Sequence, residues 1–294
     1  MIERDALAGP RDLIGELEGR LRQGGVAQAR VEAEWLVADT LGMRRTELYL
    51  LDGPMSSAQR ESLQERLSRR LSGEPLQYVL GSCDFFGHRF AVSPGVFIPR
   101  PETEAIVEAA LPALRARQAR LGRPLRLLDL GTGSGCIAVL LAKRLPSCAV
   151  VAVEVSWDAL RIARENVERH QVAGRVHLVQ GRWLEPIRGD VDGIVSNPPY
   201  IPSRQVDQLP LDVRQEPRIS LDGGPDGMRI AQQLMAEAPR VLGRGGLLAM
   251  ECGEEQVAPL LRIASTDSRV KTASPLHDMA RRPRGILLYR DGYA

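Results

Sequence analysis

The chain has 294 residues, 44% of them hydrophobic, enough for one large domain or two smaller ones with an ordinary buried core and no staples. Thirty-nine Lys and Arg against 37 Asp and Glu leave a net charge of +2, which excludes a global attraction to nucleic acid or membrane and restricts any polyanion contact to a local patch. Four scattered cysteines, Cys83, Cys136, Cys148 and Cys252, without a CxxC pair, and only four histidines encode neither a zinc site nor a disulfide framework; buried free thiols in a reducing cytosol are expected. The Met1-Ile2-Glu3-Arg4-Asp5 opening lacks an apolar targeting core, and no run approaches the roughly 18 apolar residues of a membrane span, so a cytoplasmic protein is expected.

From Asp12 to about Ser72, Leu13, Ile14, Leu17 and Leu21, then Val31, Ala33, Trp35, Leu36, Val37 and Leu41, then Leu63, Leu67 and Leu71 recur at helical spacing. Gly24-Gly25, Gly42-Met43 and Asp52-Gly53-Pro54 interrupt them, and Ser56-Ser57 supplies an N-cap for the last long helix. A small helical domain over residues 1–75 follows, serving either packing or substrate docking. Aromatic and β-branched residues around Gly81 and Gly87 predict a β-hairpin linker over 76–98. A helix is expected from Glu102 to about Arg117, with Arg115 to Arg126 as a basic, solvated linker.

From Leu125 strands and helices alternate. Strands are expected at Leu125 to Leu130, Ala149 to Val155, Arg175 to Val179, Val191 to Ser196, Gly246 to Glu251, Val270 to Ala273 and Gly285 to Arg290. Helices are expected at Gly135 to Leu145, Ser156 to His170, Gly227 to Leu242 and after Glu254. This alternation predicts an α/β sandwich with a mostly parallel sheet over residues 99–294, binding ligands at the carboxyl ends of its strands.

Four features fall at such ends. Asp129-Leu130-Gly131-Thr132-Gly133-Ser134-Gly135 is a Gly-rich turn, either one where backbone approaches a ligand closely or a tight strand-to-helix turn with no ligand. Cys136 stands where a dinucleotide fingerprint would have its last glycine. The amino-acid end of S-adenosylmethionine, with its carboxylate and ammonium, suits such a turn, and Asp129 adds an anion for the ammonium. Glu154 ends the second strand as a bidentate acceptor for ribose hydroxyls, or as the N-terminal charge of the next helix. Trp183 follows the third strand, either stacked on an adenine or buried in the core. Asn197-Pro198-Pro199-Tyr200 breaks the strand Val191 to Ser196; its prolines make the loop stiff and aim its carbonyls. That combination suits a planar nitrogen group, or a Pro-rich turn closing the strand.

Glycine loop, acid and NPPY in this order resemble class I methyltransferases acting on planar amino or amide nitrogens. Pro75-Leu76-Gln77-Tyr78, Gly81 to Phe90, Ile98-Pro99-Arg100-Pro101-Glu102-Thr103-Glu104, Asp129 to Gly135 and Ser196 to Ile201 together resemble the peptide chain release factor glutamine methyltransferases, the PrmC/HemK family. The resemblance covers nearly the whole chain. It implies a Rossmann-like methyltransferase sandwich with an antiparallel last strand, using S-adenosyl-L-methionine, with S-adenosyl-L-homocysteine as product. It implies that Gly131, Thr132, Gly133, Ser134 and Gly135 hold the methionine part, Glu154 the ribose and Trp183 the adenine side. It further implies that Asn197 borders the methyl donor and binds the substrate amide, with Pro198, Pro199 and Tyr200 completing the pocket, and that Asn197, Pro198 and Tyr200 form the catalytic set, with no metal. The implied substrate is the Gly-Gly-Gln glutamine of a class 1 release factor, and the protein is expected to be a monomer with no stable nucleic-acid or membrane association.

Two departures stand out: the ribose acid is commonly Asp, and Arg182 occupies the region where many methyltransferases place an acid for the adenine amino group. The Arg100 to Glu104 block either lines the pocket or starts a helix. Glutamine methylation of a ribosomal protein, adenine-N6 methylation of nucleic acid and a non-catalytic S-adenosylmethionine-binding, ribosome-associated role remain as alternatives. Leu221-Asp222-Gly223-Gly224-Pro225-Asp226-Gly227 reads as a turn before a helix that could border the pocket. His88, His170, His177 and His277 show no catalytic spacing, and His277 to Arg284 reads as a loop between the last two strands.

Overall fold

The computed structural model describes residues 9–51 and 53–292. The Met1 to Asp5 opening and Asp52 of the expected turn lie outside the described residues. Two compact units divide the chain: one runs up to Gly81 and includes Leu211–Gln215, and the other comprises Ser82–Pro210 and the chain from Glu216.

The first unit is helical: α1 (Pro10–Gln23), α2 (Ala29–Leu41), a 3-10 segment (Arg45–Leu50), α3 (Ser57–Leu71) and α4 (Leu76–Leu80). Leu13, Ile14, Leu17 and Leu21 form one stripe of α1 and pack with Ala33, Leu36, Val37, Leu63 and Leu67 in a single core. Full burial of each such leucine contributes roughly 1.5–3 kcal/mol. Ser56 caps α3, accepting from Gln59 N at 3.2 Å while Gln59 Oε1 accepts from Ser56 N at 2.9 Å. Val31 and Leu71 sit outside the core with about a third of their surface exposed: Ala29, Ala33, Leu36 and Val37 define the inward stripe of α2, and Leu71 is the last residue of α3, past its buried Leu63 and Leu67.

The second unit opens with the hairpin β1 (Ser82–Phe85) and β2 (His88–Ala91). The expected hairpin is thus confined to ten residues, and Leu76–Leu80 is instead a helical turn closed by Gly81 at φ 68. Then come α5 (Pro101–Leu121), β3 (Leu125–Leu130), α6 (Cys136–Arg144), β4 (Cys148–Glu154), α7 (Trp157–Arg169), β5 (Val176–Gln180) and β6 (Val191–Ser196). After a short helix α8 (Ser203–Val206) follow α9 (Arg229–Val241), β7 (Leu242–Glu251), α10 (Glu254–Thr266), β8 (Val270–His277) and β9 (Pro283–Arg290).

Seven strands form one sheet in the order β5-β4-β3-β6-β7-β9-β8. Strands β3 to β7 pair in parallel, while β9 runs antiparallel to both of its neighbours. The chain fills one side of β3 through β4 and β5, then returns to β6 on the other, so the switch point lies between β3 and β6. Every residue of β6 is buried, as a central parallel strand requires.

The basic stretch before β3 departs from expectation. Its first half belongs to α5, and Arg117 and Arg123 both bind the buried carboxylate of Asp192 in β6. The Arg126 N–H donates to the same carboxylate at 2.8 Å. Arginines that look solvated in sequence therefore anchor the helix to the central strand.

Candidate active site

Strands β3 and β6 end in step, Leu130 opposite Ser196, and Ser196 Oγ donates to Leu130 O at 2.7 Å. The loop after β3 and the loop after β6 thereby leave the sheet side by side, around a cavity of about 330 Å3. That volume suits a small-molecule site.

Gly131, Thr132, Gly133 and Ser134 line this cavity. Gly131, Gly133 and Gly135 have φ of 71, 55 and 81, a left-handed path that side chains resist. Gly135 does not line the cavity; it starts α6 and lies where a Cβ would meet Ala163 Cβ of α7 at 3.2 Å. Asp129 is turned away as well. Fully buried, its Oδ2 accepts from Thr132 Oγ1 at 2.5 Å and from Ala138 N at 2.9 Å, so it closes the turn onto α6. Burial pushes its carboxyl up to about 7, against the Thr132 and Ala138 bonds that favour the charge.

Glu154 lines the cavity at the end of β4. Its Oε2 accepts from Gly133 N at 2.9 Å, and Oε1 accepts from Val155 N at 2.9 Å and Ser156 N at 3.0 Å. Three of about four acceptor positions are thus taken, leaving one for a ligand hydroxyl unless a backbone donor is displaced. Ser156 separately caps α7, accepting from Ala159 N at 3.3 Å. Trp183 is both of the things its residue type allows: it packs against the core and it lines the cavity, its ring edge 3.1 Å from where a Gly131 Cβ would be. Its φ of 49 is an uncommon conformation for so large a residue. Arg182 also lines the wall.

Of the NPPY loop, Asn197 and Pro199 line the cavity, whereas Pro198 and Tyr200 do not. Asn197 Nδ2 donates to Thr103 Oγ1 at 2.8 Å, and Thr103 Oγ1 donates to Glu251 Oε2 at 2.7 Å. Tyr200 donates from its hydroxyl to Glu251 Oε1 at 3.2 Å, and its carbonyl accepts from Gln256 Nε2 at 2.8 Å. The Glu251 carboxyl is 1% exposed, and burial pushes it up to about 7 despite these two hydroxyl donors. Burial, with the Glu251 charge beside it, also pushes the Tyr200 phenol up.

The Arg100 to Glu104 block divides its work. Thr103 lines the cavity and holds Asn197, while Glu104 Oε1 accepts from Phe86 N at the hairpin tip at 2.7 Å. Arg100 pairs with Glu216, a buried carboxylate that also accepts from Ile98 N at 3.0 Å. Pro217, Arg218, Ile219 and Ser220 follow Glu216 into the cavity wall. The 221–227 turn does border the pocket: Asp222 lines it, and Ile201 N donates to Leu221 O while Gly223 N donates to Ile201 O. A Cβ on Gly223 would lie 2.8 Å from both Pro199 O and Tyr200 Cα, so only glycine lets this turn close on the NPPY backbone.

Sequence reasoning missed Thr103 as a partner of Asn197, and missed Glu216, Glu251 and Gln256. Glu251 had a signal: an acid ending the apolar run Leu247-Leu248-Ala249-Met250 cannot reach solvent from a central strand. His170 packs against both His88 and Phe90, and burial lowers both imidazoles. The cavity wall includes no histidine and nothing from the His277 to Arg284 loop, where Asp278 binds Arg282 and Arg284. All four cysteines are free and buried. Among the described residues no cluster of His, Cys, Asp and Glu could hold a metal, and no helix is long and apolar enough to cross a membrane.

Residues 12–81 match the family model for the PrmC N-terminal domain, and residues 90–211 match the methyltransferase small domain. A release factor glutamine methyltransferase of Moorella thermoacetica is 40% identical, over 95% of this chain and 98% of that protein. One of Geobacter sulfurreducens is 42% identical over 90% of this chain and 91% of that protein. The solved structure of a methyltransferase from Pyrococcus furiosus aligns with a TM-score of 0.52 at 20% identity, covering 78% of this chain and 100% of that one, which bears on fold alone. On these matches the chain is a methyltransferase and belongs to the release factor glutamine methyltransferases.

Proposed function

We propose that this methyltransferase methylates the side-chain amide nitrogen of the glutamine in the Gly-Gly-Gln motif of class 1 peptide chain release factors, using S-adenosyl-L-methionine. The observation that carries the reading is that one cavity is walled by the glycine loop on one side and by Asn197, with its amide nitrogen already committed to Thr103, on the other.

The residues present fit the cofactor. A Cβ at Gly133 would meet no protein atom within 4 Å, so the turn borders open space that a ligand can fill. Ser134 Oγ is buried there without a partner, a polar atom in want of a ligand. Gly131 to Ser134 would hold the methionine part, with Gly135 shaping the turn; Glu154 would take a ribose hydroxyl through its remaining acceptor position, and Trp183 would border the adenine. When bound, S-adenosyl-L-methionine supplies an electrophilic methyl group on a sulfonium.

A glutamine amide is a poor nucleophile because its nitrogen lone pair is delocalised, the resonance behind the roughly 18–20 kcal/mol rotation barrier of a peptide bond. Two acceptors aimed at its two N–H bonds orient the nitrogen and favour the positive charge developing on it. Asn197 Oδ1, on the cavity wall, is one of these acceptors; the Pro198 carbonyl, whose residue does not itself line the cavity, is assigned the second place by its position next to Asn197; Pro199 walls the pocket, and Tyr200 stiffens the loop through Glu251. Arg100 acts structurally, through Glu216. Residues 1–75 dock the folded substrate protein, 76–98 link, and 99–294 carry the chemistry, in a monomeric cytoplasmic enzyme without stable nucleic-acid binding.

Incubation with methyl-labelled cofactor and, separately, a release factor, DNA or ribosomes tests this. Label on the release-factor glutamine is expected. Label confined to nucleic acid or to a ribosomal protein, or no transfer at all, overturns the reading.

A further inference from the structure

Glu251 reaches the cavity through hydrogen bonds whose direction is forced. An ionised carboxylate only accepts, so both hydroxyls that meet it, Thr103 at 2.7 Å and Tyr200 at 3.2 Å, must donate. A hydroxyl has one proton. Once Thr103 gives its proton to Glu251, its oxygen can only accept from Asn197, whose Nδ2 lies 2.8 Å away. The other end of the Asn197 amide, Oδ1, is then the end presented to a substrate.

Protonated Glu251 lifts this constraint. The carboxyl can donate to Thr103, the Thr103 proton becomes available to Asn197 Oδ1, and a half-turn of the amide presents N–H groups to the cavity. N–H groups cannot hold a substrate nitrogen that itself offers only N–H bonds. We propose that Glu251 is a positioning residue that sets the polarity of the Asn197 amide through Thr103, so that the enzyme offers an acceptor to substrate only when Glu251 is ionised.

The proposal rests on the functional reading above, in that Asn197 must accept from an amide N–H. Its geometry is independent of that reading. A carboxylate buried to 1% exposure with two hydroxyls and no ion-pair geometry is a costly choice where packing alone is wanted. Burial holds Glu251 near 7, with Glu102 of α5 adding to the rise and Arg284 of β9 opposing it. Arg284 is itself shared with Asp278. The remaining titratable neighbours, Tyr200 and Cys252, are both pushed up, Cys252 to about 12, and stay neutral over the relevant range.

Two measurements separate this proposal from the functional reading. The chain contains only two asparagines, Asn166 and Asn197, so selective 15N-asparagine labelling gives two side-chain amide signals. Asn166, bound to Ala91 and to Ser134 O and to neither Thr103 nor Glu251, is the comparison signal; any shift it takes from Asp129 through the glycine turn persists in Glu251→Gln and is told apart in that way. The Asn197 signals should shift with a midpoint near pH 7 in the wild-type protein and lose that titration in Glu251→Gln, with no substrate needed. In assays on a release factor at saturating cofactor, wild-type kcat should fall about tenfold per pH unit below the same midpoint, and Glu251→Gln should lack this inflection. Thr103→Val should lose about 10²-fold in kcat with cofactor affinity retained, and Thr103→Ser should recover most of it. Retained cofactor affinity also certifies that each variant is folded. Asn197 signals that do not titrate, or a Glu251→Gln pH profile matching the wild type, overturn the proposal. Absence of any transfer to release factor, with the amide titration intact, overturns the functional reading instead.

Discussion

Asn166 and Ala91 exchange two hydrogen bonds: Ala91 N donates to Asn166 Oδ1 at 2.7 Å, and Asn166 Nδ2 donates to Ala91 O at 3.0 Å. A helix side chain thereby takes the place of a neighbouring strand for the last residue of β2. Nδ2 also donates to Ser134 O at 2.8 Å, which ties the hairpin to the glycine loop. Asn166→Ala leaves three polar backbone groups without these partners in a buried setting, each worth about 1–3 kcal/mol if unsatisfied. We expect a loss of about 2–5 kcal/mol, read as a lower denaturant midpoint, together with weaker cofactor binding by calorimetry.

Asn197→Ala removes an acceptor while leaving the glycine loop and Glu154 in place. The expected result is a fall of about 10²–10³ in kcat with cofactor affinity changed little, measured by transfer to a release factor and by calorimetry. Wild-type turnover in this variant would remove Asn197 from the mechanism.

Gly223→Ala places a methyl group 2.5 Å from Gly227 O and 2.8 Å from Pro199 O, so the NPPY backbone must move. Misplacement by about 1 Å costs on the order of 10² in rate. The variant should be folded by circular dichroism and slow in transfer.

Two buried carboxyls respond to pH in opposite senses. Burial pushes Asp192 up, but Arg123, the Arg126 N–H and Arg117 together outweigh it and hold the carboxyl below its ordinary range. Its contribution to stability is therefore present above the unfolded pKa, about 4, and is lost as pH falls through the lower folded value. Asp192→Asn should destabilise the protein by about 3–5 kcal/mol at pH 7, since Arg117 is left buried without its counter-charge. The difference between variant and wild type should shrink below pH 4, in thermal midpoints taken across pH.

Glu251 is raised, to about 7, so the opposite holds. Its favourable contribution is fully present below the unfolded pKa, between 4 and 5, and is lost as pH rises through 7, where folding keeps a charge buried. Glu251→Gln should therefore gain about 1–3 kcal/mol over the wild type at pH 8 and little at pH 5, even as it loses activity. A variant less stable than the wild type at pH 8 would contradict this.

What the sequence made legible was local. The alternation of strands and helices, the glycine turn, Glu154 at a strand end and the NPPY loop are each written within a few consecutive residues. What it concealed acts across the chain: Asn197 and Thr103 are 94 residues apart, Thr103 and Glu251 are 148 apart, and Ile98 and Glu216 are 118 apart. Asp129 is ambiguous in sequence for a related reason, and in the structure its Oδ2 is taken by the helix start while its Oδ1 is buried without a partner. A carboxylate before a glycine turn has the same sequence signature whether it faces a ligand or its own helix start, and the Thr132 and Ala138 bonds to Oδ2 are visible only in the structure. Arg117 and Arg123 read as solvated because charge runs usually are, and their partner Asp192 lies beyond an entire three-strand excursion.

The shared rung of Leu130 and Ser196 makes the sheet a gauge between the two loops. Adding or deleting one residue in β3 or β6 would slide one loop about 3.3 Å past the other and turn its side chains to the opposite face. Length variation among such chains should therefore collect in helices and hairpin tips. The distance along the chain between the glycine turn and the asparagine is free to drift, whereas the distance across the sheet is not.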